Sequence, residues 1–312
     1  MHVLVTGATG FVGGQVVPAL LEAGHDVRVL VRDASRYDGP RDVEVFEGDL
    51  LEPGSFDAAL DGVDAAYYLV HSMSAGEDFE ERDRRAAHNF TLAADEGGVE
   101  RVVYLGGLGE ERDELSEHLR SRREVETVLG DGDFDLTVLR AAVIVGAGSA
   151  SFEMVRQLTK RLPVMVTPRW VSNECQPIAI SDVIAYLVGV LDAPETAGET
   201  YEIGGPDVLT YGEMLRRTAR AMGRHSPVIV SVPVLSPKLS SYWVGLVTDV
   251  PWHVAQPLIL GLKNPVVVTD DAIREHVPIE LTPFDVAVER ALDEERTGSG
   301  RKRRSEVVSE DD

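Results

Sequence analysis

The chain has 312 residues, 44% of them hydrophobic, which is enough for one large α/β domain with an added part, or for two domains. Asp and Glu number 53 against 30 Lys and Arg, so the formal net charge is −23, which argues against nucleic acid or an anionic membrane as the main partner. With a lone cysteine, no run of 18 apolar residues and no signal peptide, we expect a cytoplasmic protein without a disulfide, a transmembrane segment or a metal site.

Lysine is nearly absent from this acidic chain. The four lysines are Lys160, Lys238, Lys263 and Lys302. An acidic surface with few lysines is typical of proteins from high-salt organisms, where counterions screen the self-repulsion. We therefore expect a halophilic protein.

The first half of the chain alternates short β-branched runs with longer helical stretches. The predicted strands are 2–6, 26–31, 43–46, 63–70, 101–106 and 135–145, and the predicted helices are 11–24, 78–97 and 114–130. Apolar runs of this length between helices are typical of a parallel sheet covered on both faces. Right-handed crossovers make it a doubly wound α/β sheet, a Rossmann fold, over residues 1–148.

The pattern is looser after residue 148. Strands within 177–205 are expected to complete the sheet, and 149–295 are expected to form a smaller C-terminal substrate or cap region. Residues 296–312 have neither periodicity nor apolar core positions, so we predict that this tail is disordered.

Three glycines, Gly7, Gly10 and Gly13, lie between the first predicted strand and the first predicted helix. Gly7 permits a tight turn, Gly10 lets the backbone approach a pyrophosphate, and Gly13 lets the helix pack against the strand. The helix N-terminus supplies oriented N–H groups, so this strand–turn–helix context predicts a dinucleotide site. The other candidate cofactor-binding residues of the turn are Thr9, Phe11 and Val12.

The residues after the second strand distinguish the two nicotinamide dinucleotides. Arg32 follows Gly13 by 19 residues, with Arg36 close behind. An arginine here pairs with the 2′-phosphate of NADP, whereas an acidic residue binds the ribose hydroxyls of NAD. Arg32 therefore favours NADP(H), although it is also explained as a solvated charge at a strand end. Asp33 leaves NAD(H) as the alternative cofactor.

The adenosine side of the site is expected after the third and fourth strands. Asp49 is placed to accept a hydrogen bond from the adenine amino group, while Leu50 packs on the ring. Leu69 and His71 follow the fourth strand and are expected to line the channel from adenosine to nicotinamide.

Several segments together carry a family resemblance. TGATGFVGG, VRD, GDL, LRAAVIVG, QPIAISDV and YEIGG resemble the extended and atypical short-chain dehydrogenase/reductases. More narrowly, the chain resembles the NmrA-like and complex I 39-kDa-subunit-like proteins, which are often labelled nucleoside-diphosphate-sugar epimerases. The resemblance covers about residues 1–290. It implies the fold and a nicotinamide dinucleotide, and it leaves the reaction open.

The resemblance also implies a Ser after the fifth strand and a Tyr-x-x-x-Lys on the next helix, where the Tyr donates a proton and the Lys holds the nicotinamide ribose. Here Gly106 and Gly107 replace the Ser, His118 stands at the Tyr position, and Arg122 stands at the Lys position. Arg122 is the candidate ribose contact. His118 is the candidate general acid, since histidine titrates near neutral pH, although an exposed helix histidine fits equally well.

Two functions from different classes remain open. The first is an NAD(P)H-dependent oxidoreductase acting on a hydrophobic carbonyl, quinone or enone; the second is a non-catalytic NADP(H)-binding redox sensor or assembly factor with a protein partner. The replaced Ser, Tyr and Lys favour the second. Arg122 and the aromatic, weakly charged segment 239–262 favour the first, because that segment suits a lipophilic pocket. Membrane contact, a protein interface or core packing would also explain the composition of 239–262. A sugar-nucleotide epimerase or dehydratase is third, because it needs the absent Tyr.

Overall fold

The structure, a computed structural model, describes residues 1–71, 79–109, 117–232 and 264–308, together with Thr248, Gln256, Ile259, Gly261 and Leu262. The strands are β1 (His2–Thr6), β2 (Asp26–Val31), β3 (Glu44–Glu47), β4 (Ala65–Tyr68), β5 (Arg101–Gly107), β6 (Asp135–Ala141), β7 (Ile144–Val145), β8 (Val164–Thr167), β9 (Glu174–Cys175), β10 (Ile178–Ala179), β11 (Thr200–Ile203), β12 (Leu209–Thr210) and β13 (Val228–Ser231). The helices are α1 (Gly13–Glu22), α2 (Phe79–Gly97), α3 (Glu117–Leu129), α4 (Ala150–Arg161), α5 (Ile180–Gly189), α6 (Tyr211–Ala221), α7 (Ile273–His276) and α8 (Phe284–Val308).

Seven parallel strands form the central sheet, in the order β11-β6-β5-β4-β1-β2-β3. The inner strands β1, β4 and β5 are almost entirely buried, as expected for a parallel sheet that is covered on both faces. The strand order reverses between β1 and β4, and open α/β sheets bind their ligands at such a reversal. The predicted doubly wound Rossmann fold is therefore confirmed.

The predicted strand over 135–145 is two strands in the structure. The Ala142 N–H still donates to the Ile203 carbonyl of the central sheet (3.4 Å), but the Val143 carbonyl accepts from the Ile178 N–H (2.9 Å). β7 therefore pairs with β10 in a separate two-stranded sheet. The apolar run LRAAVIV contains no polar break at this change of partner, so periodicity alone did not separate the two strands.

The chain divides into two compact units. Unit 1 consists of Met1–Ala142, Ser181–Gly204 and Val266–Glu280, and unit 2 consists of Val143–Ile180, Gly205–Pro265 and Leu281–Asp312. The predicted division into 1–148 and 149–295, with strands within 177–205 completing the sheet, placed the segment 266–280 in the C-terminal region, whereas this segment belongs to unit 1. β11 pairs with β6, and the rings of Tyr201 and His276 lie 5.9 Å apart in an edge contact.

In unit 2, Arg217 of α6 fixes the start of α8. Its guanidinium donates two hydrogen bonds to the Asp285 carboxylate (2.8 and 2.9 Å) and one to Asp207 (3.0 Å). Asp207 also accepts from the Phe284 N–H (2.8 Å), and the guanidinium lies over the Phe284 ring at 5.4 Å. The arrangement gives Arg217 a bidentate ion pair with Asp285. It also gives the Phe284 N–H, at the start of α8, an acceptor that it would otherwise lack.

The last helix, α8, continues to Val308, so the backbone of 296–308 differs from the predicted disorder. Six of these 13 residues are Arg, Lys or Glu, which are good helix formers, and no proline interrupts the segment. The Thr297 hydroxyl donates to the carbonyls of Asp293 and Glu294. Residues 309–312 lie outside the described part of the chain.

Asp285→Asn is expected to lower the melting temperature at pH 7 by about 2–4 °C, because it weakens a half-exposed ionic hydrogen bond worth about 1 kcal/mol. Hydrogen bonds from Arg217 hold the pKa of Asp285 below its usual value. The stabilisation is therefore present above the unfolded pKa of about 3.9 and is lost as the pH falls through the lower folded pKa. Thermal unfolding of variant and parent from neutral to acidic pH should show a gap that closes in acid.

Asp293→Asn is the matched control, because Asp293 pairs with Arg296 on the same helix with both side chains about 70% exposed. An Asp285→Asn effect no larger than that of Asp293→Asn would mean that Arg217 does not hold α8 through this carboxylate.

Candidate functional site

The turn between β1 and α1 leaves no room for side chains at Gly7 and Gly13. Gly7 has φ = 71°, and a Cβ there would lie 2.6 Å from the Leu69 carbonyl oxygen. A Cβ on Gly13 would lie 2.2 Å from the Gly7 carbonyl oxygen. Both distances are far inside van der Waals contact, so glycine at these two positions brings α1 directly onto the end of β1.

The N-terminus of α1 is open. Its N-cap residue, Val12, makes no side-chain capping hydrogen bond, and the first turn holds no acidic residue. Thr9 and Gly10 are exposed, and Phe11 and Val12 are half-buried. Backbone N–H groups at an uncapped helix start suit an anion such as a pyrophosphate, so the turn fits the predicted dinucleotide.

The Thr6 hydroxyl joins the ends of β1 and β4 beside this turn. It donates to the Tyr67 carbonyl (2.9 Å) and accepts from the Leu69 N–H (3.2 Å). Leu69 is thereby held against Gly7, and His71 follows at the surface. The sequence predicts a role for Leu69 but not for Thr6, because Thr6 is the last residue of an apolar run.

After β2, Arg32 and Asp33 differ in their surroundings. Arg32 is exposed, directly at the carboxyl end of the strand. The Asp33 carboxylate accepts from the Ser35 N–H (3.0 Å) and hydroxyl (2.6 Å), which lowers its pKa. Glu47 of β3 accepts from the Ala34 N–H (3.0 Å). The two acidic groups thus hold the local turn while Arg32 extends into solvent.

After β3, Asp49 and Leu50 lie in different environments. Asp49 is half-buried, and its carboxylate accepts from the Leu51 N–H (2.9 Å). Leu50 is only 6% exposed and packs in the core with Phe56 and Phe90. Leu50 therefore exposes little side-chain surface for the packing on the adenine ring that the sequence predicts.

β5 and α3 bring Arg122 close to buried tyrosines. The Tyr104 hydroxyl donates to the Arg122 carbonyl (3.1 Å), and burial raises the pKa of Tyr104. A Cβ on Gly107 would lie 2.7 Å from a methyl of Leu119, so α3 lies close over the position of the family's Ser. Arg122 itself is half-buried. The His118 side chain lies outside the described part of the chain.

A buried carboxylate in this region was not expected from the sequence. Asp83 of α2 accepts a hydrogen bond from the Ser121 hydroxyl (3.2 Å), and both residues are buried. Its charge adds to burial in raising the pKa of Tyr68 and Tyr104. The signal was available, because Asp83 occupies a core-facing position between Phe79 and Ala87 at helical spacing.

The family model for NAD(P)H-binding proteins matches residues 7–169. The chain belongs to this NAD(P)H-binding family. It is 28% identical to NADH dehydrogenase [ubiquinone] 1 alpha subcomplex subunit 9 of Arabidopsis thaliana, over 90% of this chain and 73% of that protein. It is 31% identical to a (4-alkanoyl-5-oxo-2,5-dihydrofuran-3-yl)methyl phosphate reductase of Streptomyces griseus, over 71% of this chain and 74% of that protein.

Among solved structures, the triphenylmethane reductase of Citrobacter superposes with a TM-score of 0.77 at 22% identity, over 94% of this chain and all of that one. This likeness shows a shared fold. The family match and the reductase relative support the expected NAD(P)H-binding oxidoreductase. Within the described residues, no helix is long and apolar enough to cross a membrane, and no group of His, Cys, Asp and Glu is arranged to hold a metal ion.

Gly13→Ala is expected to weaken NADPH binding at least tenfold, because a Cβ 2.2 Å from the Gly7 carbonyl oxygen must push α1 away from the turn. Gly14→Ala is the matched control, since its Cβ would lie at an ordinary 3.6 Å from the Ala8 carbonyl oxygen. Titration of NADPH fluorescence measures both. Equal affinities for the two variants would show that contact between α1 and the turn does not shape the site.

Proposed function

We propose that this protein is an NADP(H)-dependent reductase of a hydrophobic carbonyl, quinone or enone. The observation that carries the cofactor preference is the contrast after β2, where Arg32 is exposed and one oxygen of Asp33, Oδ1, accepts both hydrogen bonds from Ser35. A carboxylate that caps its own turn is a poorer acceptor for ribose hydroxyls. A guanidinium beside it suits the 2′-phosphate of NADP.

Arg32→Ala is expected to reduce the preference for NADPH over NADH by roughly tenfold or more, because an ionic hydrogen bond to phosphate is worth about 1.5–3 kcal/mol. NADH affinity should stay nearly constant, since NADH lacks that phosphate. Calorimetric titration of both dinucleotides into parent and variant measures the ratio. Arg41→Ala, an exposed arginine nine residues further along the chain, is the control.

Equal affinities of the parent protein for NADPH and NADH would overturn the NADP(H) preference. The dinucleotide site itself would still stand, because it rests on the glycine turn.

The proposed chemistry divides between Arg122 and His118. NADPH, when bound, supplies a hydride. Arg122 would contact the nicotinamide ribose, and His118, four residues earlier on α3, would donate a proton to the substrate oxygen. The S. griseus relative is named a reductase, which supports this class of reaction. The substrate's hydrophobic character is proposed from segment 239–262, most of which lies outside the described residues.

A non-catalytic NADP(H)-binding role in a protein assembly is the second candidate. Gly106 and Gly107 provide no hydroxyl at the family's Ser position, and the Tyr104 hydroxyl is engaged with a backbone carbonyl. The A. thaliana relative is named a subunit of NADH dehydrogenase, which supports this alternative. For either role we propose a cytoplasmic location.

His118→Ala is expected to lower turnover by about 10²–10⁴-fold while NADPH affinity is unchanged, because general acid catalysis contributes that much. Arg122→Ala is expected to weaken both turnover and NADPH binding. The assay follows NADPH oxidation with a panel of quinones, enones and aldehydes. His88→Ala, an exposed histidine on α2, is the control.

Full activity of His118→Ala would remove His118 as the acid. Tight NADPH binding without turnover of any of these substrates would favour the non-catalytic role over the reductase.

A further inference from the structure

Two stretches of unit 2 contain no acidic residue, although 53 of the 312 residues are Asp or Glu. Residues 154–173 and 214–232 together carry eight Lys and Arg. The structure packs the two stretches together, α4 against α6 and β8 beside β13. Two of these eight charges are balanced within unit 2, because Arg156 pairs with Glu153 and Glu295 and Arg217 pairs with Asp207 and Asp285.

Four valines form an exposed apolar face on the β8–β13 sheet, which we call the valine face. Val164 lies beside Val228 and Val166 beside Val230 in the parallel register. Their exposed fractions are 54%, 58%, 52% and 46%, and they make up half of the eight exposed large hydrophobic residues in the described chain. Alternate strand residues point to opposite faces, so Met165, 1% exposed, packs into unit 2 instead.

Basic residues lie at one edge of the valine face, and we call them the basic rim. Lys160 and Arg161 end α4 just before β8, and Arg224 precedes β13. All three are exposed, and the Arg224 guanidinium donates to the Lys160 carbonyl (2.7 Å), which places the two chain segments side by side. Because the strands are parallel, both basic segments lie at the same end of the sheet.

We propose that the valine face and its basic rim dock on an anionic lipid surface. The four valine side chains suit the boundary between the lipid headgroups and the acyl chains. The basic rim suits the anionic headgroups. The net charge of −23 argued against such a partner, but at about 0.15 M salt charges beyond about 8–10 Å are screened, so the local sign governs contact at that ionic strength.

A second copy of the chain fits this surface less well. A two-fold dimer through the valine face in which the strands of the two copies run in the same direction would place the basic rims side by side, where like charges repel. If the basic rim instead bound an acidic surface of another copy, the two contacting surfaces would differ. Such a contact produces open filaments unless the rotation between successive copies closes a ring. A planar anionic surface requires neither arrangement.

The test is flotation of the full chain with vesicles at about 0.15 M KCl, comparing phosphatidylcholine alone with phosphatidylcholine containing about one-third phosphatidylglycerol. The protein should float with the anionic vesicles. Lys160→Gln with Arg161→Gln should weaken binding roughly 25-fold, at about fivefold for each basic residue. Val166→Thr with Val230→Thr, which keeps size and β-propensity, should weaken it at least fivefold.

Matched controls use the same substitutions elsewhere. Val45→Thr with Val208→Thr changes two other exposed valines, and Arg84→Gln with Arg296→Gln changes two exposed arginines. Both controls should bind vesicles as the parent does, and the melting temperatures confirm that all variants fold. Failure of the parent to float with anionic vesicles overturns the proposal, as does flotation unchanged in both test variants. A dimer in sedimentation that the valine variants dissociate overturns it in favour of a second copy.

Discussion

The close approach of α1 to the end of β1 is the constraint on which the dinucleotide site depends. A Cβ at position 13 would lie 2.2 Å from the Gly7 carbonyl oxygen, so only glycine allows the helix to start where it does. A Cβ on Gly7 would lie 2.6 Å from the Leu69 carbonyl oxygen, so this position also requires glycine. The Thr6 hydroxyl keeps the ends of β1 and β4 together. Two glycines and one hydroxyl therefore set the floor of the site at the reversal of strand order.

A strongly acidic chain must keep negative charge away from a site that receives phosphates. Here the first turn of α1 holds no acidic residue. The nearby acids are used in local structure, since Asp33 caps its turn and Glu47 holds the Ala34 N–H. Their charge remains, but their oxygens already serve backbone donors. At the end of β2, Arg32 and Asp33 are both exposed, and of these two Arg32 carries the positive charge that suits a phosphate.

Much of this architecture follows from the sequence, because buried parallel strands are apolar runs and the glycine spacing is a strict steric requirement. The parts that did not follow depend on long-range pairing. The break between β6 and β7 depends on Ile203 and Ile178, which lie far along the chain. Leu50 was predicted to face a ligand but lies in the core, since a lone leucine after a strand carries no information on which side it packs. The helical spacing of Asp83 between Phe79 and Ala87 indicates a core-facing position, but its hydrogen bond with Ser121 depends on a residue 38 positions later.

The interleaving of the two units has a consequence for how the protein is made. The last segment of unit 1, 266–280, is synthesised after the first two segments of unit 2, 143–180 and 205–265. A Cβ on Gly189 would meet Val277 at 2.4 Å, so that late segment is closely packed on α5. The α5 surface of the nascent Rossmann sheet therefore stays uncovered while nearly a hundred further residues are translated, from the start of α5 at Ile180 to Val277. Chaperone binding during translation would act on that uncovered surface.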